Sequence, residues 1–282
     1  MSVLTAIMVL GGIGAIGAIA LNRVAKKFHV EEDALVGQVE SLLPGVNCGG
    51  CGMNGCHDFA VQCVKAGRLE GFYCPSAGSE GMDKIAEALG CTSSGREPDV
   101  AVMKCAGTSS TKRAFASKYE GVRRCSIMNM TAGDYDCDNS CLGCGDCMDV
   151  CQWQAINYNA TTGIVEISAE KCVGCGMCVS TCPRRIIELR PRNRRNRRVW
   201  VACSNCQKGA VTRKQCSVGC IGCGLCAKQC PVDAISISDN LAYIDPAKCV
   251  ACGKCIGVCP TKAIQSVNVG TARPATKTTE DQ

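Results

Sequence analysis

The chain has 282 residues, enough for two or three compact units and a tail, and a formal charge of +6. Much of that charge sits in one arginine-rich stretch rather than over a uniformly basic surface, so charge alone gives no case for nucleic-acid binding. The 28 Cys stand against only 4 Phe and 2 Trp, which excludes a fold built on a large aromatic core and calls for disulfides or metal instead.

Spacing decides between those two. Most of the cysteines fall in Cys-x-x-Cys-x-x-Cys runs or follow one as its fourth cysteine, where local disulfides would be strained but a thiolate-held metal site is natural. Disulfide-rich secreted domains are also usually shorter than about a hundred residues. Metal in a reducing compartment is the better reading.

From the start of the chain, Val3 to Leu21 holds no charge and one polar side chain, Thr5. At about 1.5 Å per residue this run reaches roughly 28 Å, close to the hydrocarbon thickness of a bilayer. Gly11/Ala15 and Gly14/Ala18 place small residues at helix-packing spacing, and Arg23, Lys26 and Lys27 follow. Residues 1–27 are therefore expected to be a single transmembrane anchor in the inner (cytoplasmic) membrane, in contact with lipid, with the remainder on the cytoplasmic side. Ala18-Ile19-Ala20 resembles a signal cleavage site, but no basic segment precedes the run.

Residues 28–92 read as a small helical domain. Glu31 to Leu43 has an apolar face of Leu35, Val36, Val39, Leu42 and Leu43, stopped by Pro44-Gly45. Then come Cys48-x2-Cys51-x4-Cys56 and the distant Cys74-Pro75, three close cysteines and one remote, which suits a [4Fe–4S] cluster. His57 reads as a helix-start residue, with ligation the alternative. Cys63 shares a helix face with Phe59, Ala60 and Val64 and reads as a buried apolar thiol. A further helix is expected around Met82, Ile85, Ala86 and Leu89.

Residues 93–137 form a cysteine-containing linker region. Val100-x-Val102-x-x-Cys105 and the later Val199-x-Val201-x-Cys203 read as two short strands that pair with each other. Such pairing would gather Cys105, Cys125, Cys137, Cys203, Cys206 and Cys216, either as another cluster or as free thiols. Residues 191–216 are a basic linker. Arg184, Arg185, Arg190, Arg192, Arg194, Arg195, Arg197 and Arg198 lie in or beside it, either steering an acidic redox partner or lining a solvated connection. Residues 269–282 have no apolar period and read as a disordered tail.

Residues 138–190 and 217–268 are an internal repeat. Cys141, Cys144, Cys147 and Cys151 precede Cys172, Cys175, Cys178 and Cys182-Pro183; Cys220, Cys223, Cys226 and Cys230-Pro231 precede Cys249, Cys252, Cys255 and Cys259-Pro260. Ala155-Ile156, Ile186-Ile187, Ala234-Ile235 and Ala263-Ile264 are expected as short strands after each fourth cysteine. The pattern resembles bacterial two-cluster ferredoxins, in which the fourth cysteine of a run ligates the other cluster. That resemblance implies four ligand sets: Cys141, Cys144, Cys147 with Cys182; Cys172, Cys175, Cys178 with Cys151; Cys220, Cys223, Cys226 with Cys259; and Cys249, Cys252, Cys255 with Cys230. Structural zinc knuckles are the bland alternative, which four repeats of this spacing disfavour.

The order of helix, Leu43-Pro44-Gly45-Val46-Asn47-Cys48-Gly49-Gly50-Cys51-Gly52, linker and ferredoxin-like blocks resembles the B subunit of the Rnf complex, its electron-input iron–sulfur component, over nearly all of residues 1–268. The resemblance implies an α+β chain with a transmembrane helix, a small [4Fe–4S] domain and two 2[4Fe–4S] modules. It also implies at least five clusters, soluble ferredoxin as electron donor, and membrane and flavin subunits as partners in an ion-translocating ferredoxin:NAD⁺ oxidoreductase. The family has a non-cysteine where Cys144 stands and cysteines matching Cys125 and Cys137, so Cys137 is the alternative to Cys144. Gln152 follows Cys151 where proline would be commoner. A polyferredoxin component of a hydrogenase-like membrane complex is the nearest other reading. No Walker A, dinucleotide fingerprint or nucleophile–His–acid set is present, so no catalytic residue or hydride site beyond the cluster ligands is expected.

Overall fold

The computed structural model describes residues 3–27 and 33–269, apart from 94, 96–97, 116–117, 132 and 193–194, with backbone alone over 3–10 and 25–27. The apolar run is helical, α1 (Val3–Lys27). Among the described residues, however, no helix is long and apolar enough to cross a membrane. The helix takes in Asn22 and Arg23, a polar and a charged side chain that a hydrocarbon layer disfavours. The expected transmembrane anchor is thus corrected. With it go the single-pass inner-membrane location, the sidedness and the lipid contact that rested on it.

The next three helices enclose one small core. α2 (Ala34–Ser41) starts where the Asp33 carboxylate accepts the Leu35 N–H at 3.0 Å. α3 (Cys56–Ala66) starts where the Asn47 amide oxygen accepts the Cys56 N–H at 2.7 Å, so the loop carrying Cys48 and Cys51 folds back on the helix that carries Cys56. α4 (Gly78–Leu89) closes the unit. Val36, Val39, Phe59, Leu69, Met82 and Ile85 are buried among them. Phe59 and Phe72 meet edge-on with ring centroids 6.2 Å apart.

Beyond this unit the same plan appears twice. β1 (Asp99–Met103) and the short α5 (Cys125–Met128) and α6 (Asp146–Asp149) lead to the hairpin β2 (Ile156–Asn159) and β3 (Ile164–Ile167), then α7 (Met177–Thr181) and β4 (Ile187–Pro191). β5 (Arg198–Val201), α8 (Gly209–Gln215) and α9 (Leu225–Lys228) lead to the hairpin β6 (Ile235–Ser238) and β7 (Leu241–Ile244), then α10 (Lys254–Gly257) and β8 (Ile264–Val267). In each, the hairpin strands pair with each other and the outer strands pair antiparallel, β1 with β4 and β5 with β8. β2, β4, β6 and β8 all begin at the apolar pair after a fourth cysteine.

β1 and β5 therefore do not pair with each other, as their sequences had suggested. Each closes its own module, because the strand after a module's last cysteine needs a partner for its backbone N–H and C=O groups. The chain just beyond the two strands does meet. Ala106 N–H donates to Ala202 O at 2.9 Å, Trp200 Nε1 to Met103 O at 2.9 Å and Ser204 Oγ to Lys104 O at 3.1 Å.

The arginines fasten these parts. Arg184 donates to the carbonyls of Cys137 and Ser140 at 3.2 and 2.8 Å, and Arg192 to Cys172 O at 3.1 Å. Buried Arg190 reaches from β4 to Val199 O at 3.2 Å and Ile244 O at 2.9 Å, both in the second module. Neither steering nor a solvated linker describes these three. Arg185 and Arg195 are exposed, and Arg194 lies outside the described residues.

Candidate metal centres

Each module places its cysteines by the same local device. A glycine in the left-handed region (Gly145, Gly176, Gly224, Gly253) ends the cysteine loop and starts a one-turn helix. That helix carries the third cysteine inward, and Cys147, Cys178, Cys226 and Cys255 are all buried. Gly174 shows why the loop tolerates no side chain: at φ +75° a Cβ would stand 2.3 Å from Asp99 O on β1.

Three cavities in the modules are ringed by cysteines. One is lined by Cys151, Cys172, Cys175 and Cys178. A second is lined by Cys220, Cys223, Cys226 and Cys259. The third is lined by Cys141, Cys147 and Cys182 with Cys125. Cys144 adjoins Cys125, with its Sγ 3.3 Å from Met128 Sδ. Cys249 has Cys230 and Cys252 as neighbours, and Cys255 has Cys249 and Cys252. In the helical unit Cys48, Cys51 and Cys74 are neighbours, and Cys51 and Cys56 pack against the same core as Cys74.

Backbone amides point at the sulfurs. Ala155, Ala234 and Ala263 each donate an N–H to the Sγ four residues earlier, Cys151, Cys230 and Cys259, at 3.3 Å. Ala101 donates to Cys172 Sγ and Ala251 to Cys249 Sγ at 3.4 Å. Such donors stabilise negative charge on sulfur. Burial, reinforced by neighbouring cysteines, pushes the Cys147, Cys178 and Cys255 thiols up to about 12 and Cys226 to about 11. Only a strongly positive centre would hold these groups as thiolates near neutral pH.

Among the described residues no three His, Cys, Asp or Glu side chains converge on the spacing that holds a single metal ion. A tetrahedral zinc site would draw its sulfurs to about 3.8 Å of one another. An iron–sulfur cube stands between its thiolates and takes N–H donors on its sulfurs, and the four-cysteine cavities with amides aimed at their sulfurs fit it.

His57 turns away from the cysteines: its Nδ1 lies 2.9 Å from Glu40 Oε2, tying α3 to α2. Cys63 is fully buried, and burial, with Cys51, Cys91 and Cys74 nearby, pushes its thiol up to about 12. Cys125, which lies outside every run, lines the cavity with Cys141, Cys147 and Cys182. The cysteines gathered after β1 and β5 are Cys105, Cys137, Cys203 and Cys216, around a fourth cavity. Cys206 is exposed and does not line it.

Comparison with known proteins agrees with this picture. A family model described as a 4Fe-4S dicluster domain matches residues 140–186 and 219–263, and another of that description matches 171–234. A model described as a putative Fe-S cluster matches 43–70. The chain is 37% identical to the B subunit of the Na⁺-translocating ferredoxin:NAD⁺ oxidoreductase complex of Acetobacterium woodii, covering 86% of this chain and 72% of that one. It is 38% identical to the B subunit of the proton-translocating ferredoxin:NAD⁺ oxidoreductase complex of Clostridium ljungdahlii, over 86% and 84%. It is 34% identical to the B subunit of the ion-translocating oxidoreductase complex of Methanosarcina acetivorans, over 87% and 91%.

Proposed function

The chain belongs to the family of Rnf B subunits, components of ion-translocating oxidoreductase complexes, and from that premise we propose that it accepts electrons singly from reduced ferredoxin and delivers them to its partner subunits. It acts as an iron–sulfur component of such a complex. Five [4Fe–4S] clusters are assigned: one to Cys48, Cys51, Cys56 and Cys74; one to Cys151, Cys172, Cys175 and Cys178; one to Cys220, Cys223, Cys226 and Cys259; one to Cys230, Cys249, Cys252 and Cys255. The remaining cluster takes Cys141, Cys147 and Cys182 with Cys125, which lines that cavity where Cys144 does not. When bound, each cluster supplies a one-electron couple within the broad range open to such centres, about −700 to +450 mV.

The observation that carries the reading is the adjacency of the cysteine sites within each module and of the helical unit to the first module. Gly50, between Cys48 and Cys51, packs so closely on the first module that a Cβ there would stand 2.5 Å from Cys175 O. Cys178 neighbours Cys147, and Cys226 neighbours Cys255. The protein's part is to hold neighbouring sites close, to aim amides at the sulfurs and to keep water out with β-strand side chains.

The test is anaerobic isolation of the full chain followed by titration with reduced ferredoxin. About twenty iron atoms, five sites of four, and bleaching of the visible absorption in step with added ferredoxin are expected. Colourless, iron-free material would refute the proposal, as would iron-loaded chain that reduced ferredoxin cannot bleach.

A further inference from the structure

The fourth cavity has the marks of a built site and belongs to none of the sets assigned above. Its cysteines come from four separate segments: Cys105 just after β1, Cys137 before the first cysteine run, Cys203 just after β5 and Cys216 at the end of α8. No local spacing links them, and only the meeting of the two modules brings them together.

The rest of the lining mixes Ala202 and Val218 with polar groups, Lys112 and Asn205 among them, unlike the setting of a thiol that merely fills a core. Lys112 is buried, with 5% of its surface exposed, and pairs with Cys216 in an antiparallel bridge. Its Nζ donates to Cys141 O at 3.1 Å and lies 3.8 Å from the centroid of Tyr135; among the described residues no carboxylate is within ion-pair reach of it. Asn205, 2% exposed, points its Nδ2 at Cys137 Sγ at 3.5 Å and is held there by Gln215 Oε1 at 2.8 Å. The Cys141 N–H donates to Cys105 Sγ at 3.4 Å. A buried ammonium with directed N–H donors suits the net negative assembly that four thiolates form around a cluster core.

We propose that Cys105, Cys137, Cys203 and Cys216 ligate a further [4Fe–4S] cluster seated between the two ferredoxin-like modules. Its position is the argument for its role. On one side Cys141, a ligand assigned in the first module, hydrogen-bonds Cys105 through its amide. On the other, the backbone of Cys220, a ligand assigned in the second module, hydrogen-bonds the Cys203 sulfur. One electron arriving at this centre reduces it and one leaving restores it, with no bond made or broken. The site thus turns two separate pairs of centres into one series. It extends the five-cluster reading, which stands without it.

The experiment is iron and sulfide counting with native mass spectrometry on anaerobic full-length chain, beside Cys137→Ala and Cys203→Ala. The wild type is expected to hold about twenty-four iron atoms, and each variant about twenty. The one-electron EPR signals of the other five should persist in both. A wild type with about twenty iron atoms, with or without one zinc, overturns the proposal, as do variants that keep the full wild-type count. A wild type without iron overturns the five-cluster reading as well, which separates the two failures. Should a variant not fold, the wild-type mass decides alone.

Discussion

Two glycines two residues apart give a sharp test of how the cysteine loops are held. Gly222 and Gly224 flank Cys223 and both lie in the left-handed region, at φ +64° and +75°. Alanine at either carries a backbone cost of about 1–2 kcal/mol. Their surroundings differ. A Cβ on Gly222 would stand 2.6 Å from Asn240 O and 2.8 Å from Asn240 C, whereas a Cβ on Gly224 meets nothing within 4 Å. The obstructing backbone cannot easily retreat. Asp239 and Asn240 form the two-residue turn of the β6–β7 hairpin with φ +48° and +59°, the paired Ser238 and Leu241 fix it, and Asn240 Nδ2 donates to Cys206 O at 3.2 Å. Gly222→Ala should therefore cost about 1–3 kcal/mol more than Gly224→Ala. Felt fully in the unfolding barrier, that is about a 5- to 150-fold faster loss of visible absorption in anaerobic guanidinium. Equal half-lives, or a shorter one for Gly224→Ala, would refute the reasoning.

Replacing Arg190 by methionine keeps volume but strips donors from Val199 O and Ile244 O and leaves Glu188, 3.1 Å from Arg190 Nη2, without that partner. A loss of roughly 3–5 kcal/mol is expected, read as a lowered unfolding midpoint; an unchanged midpoint would show that the modules do not depend on this clamp. Cys125→Ala is expected to remove about four iron atoms and Cys144→Ala none, with the reverse result returning the ligand role to Cys144. In the helical unit Cys74→Ala should lose its cluster, while Cys63→Ala keeps it at a cost of about 1 kcal/mol, and iron analysis of the pair tells whether burial alone explains Cys63. Lys112→Met should lower the midpoint potential of one EPR-active centre, because a buried positive charge favours the reduced, more negative form. If no potential moves, Lys112 faces no redox centre.

What the sequence made legible is what local spacing encodes. The cysteine runs, the glycines between them and the apolar pairs that start β2, β4, β6 and β8 all act within a few residues, so their geometry follows from chain stiffness and hydrogen-bond reach. Composition read the length and hydropathy of Val3 to Leu21 well enough to expect a helix, yet it overreached to a membrane span. Spacing was blind wherever a site is assembled by tertiary contact. Cys125 reaches its cavity because Arg184 gathers the Asn129 side chain, at 3.0 Å, and the Cys137 and Ser140 carbonyls around one guanidinium. Cys105 and Cys203 approach because Met103, Lys104 and Ala106 bond to Trp200, Ser204 and Ala202, not because β1 and β5 share a sheet. The arginine-rich stretch misled for the same reason. A charge run reads as solvated surface until the structure shows guanidinium groups spent on buried carbonyls, and Arg190 is where that matters most, since it fastens the first module's last strand to the second module's first. The seam it holds is the seam at which Cys105, Cys137, Cys203 and Cys216 meet. A chain that needed only two independent ferredoxin-like units could join them by a loose linker; clamping them with a buried arginine makes physical sense if the distance between their metal centres has to be fixed.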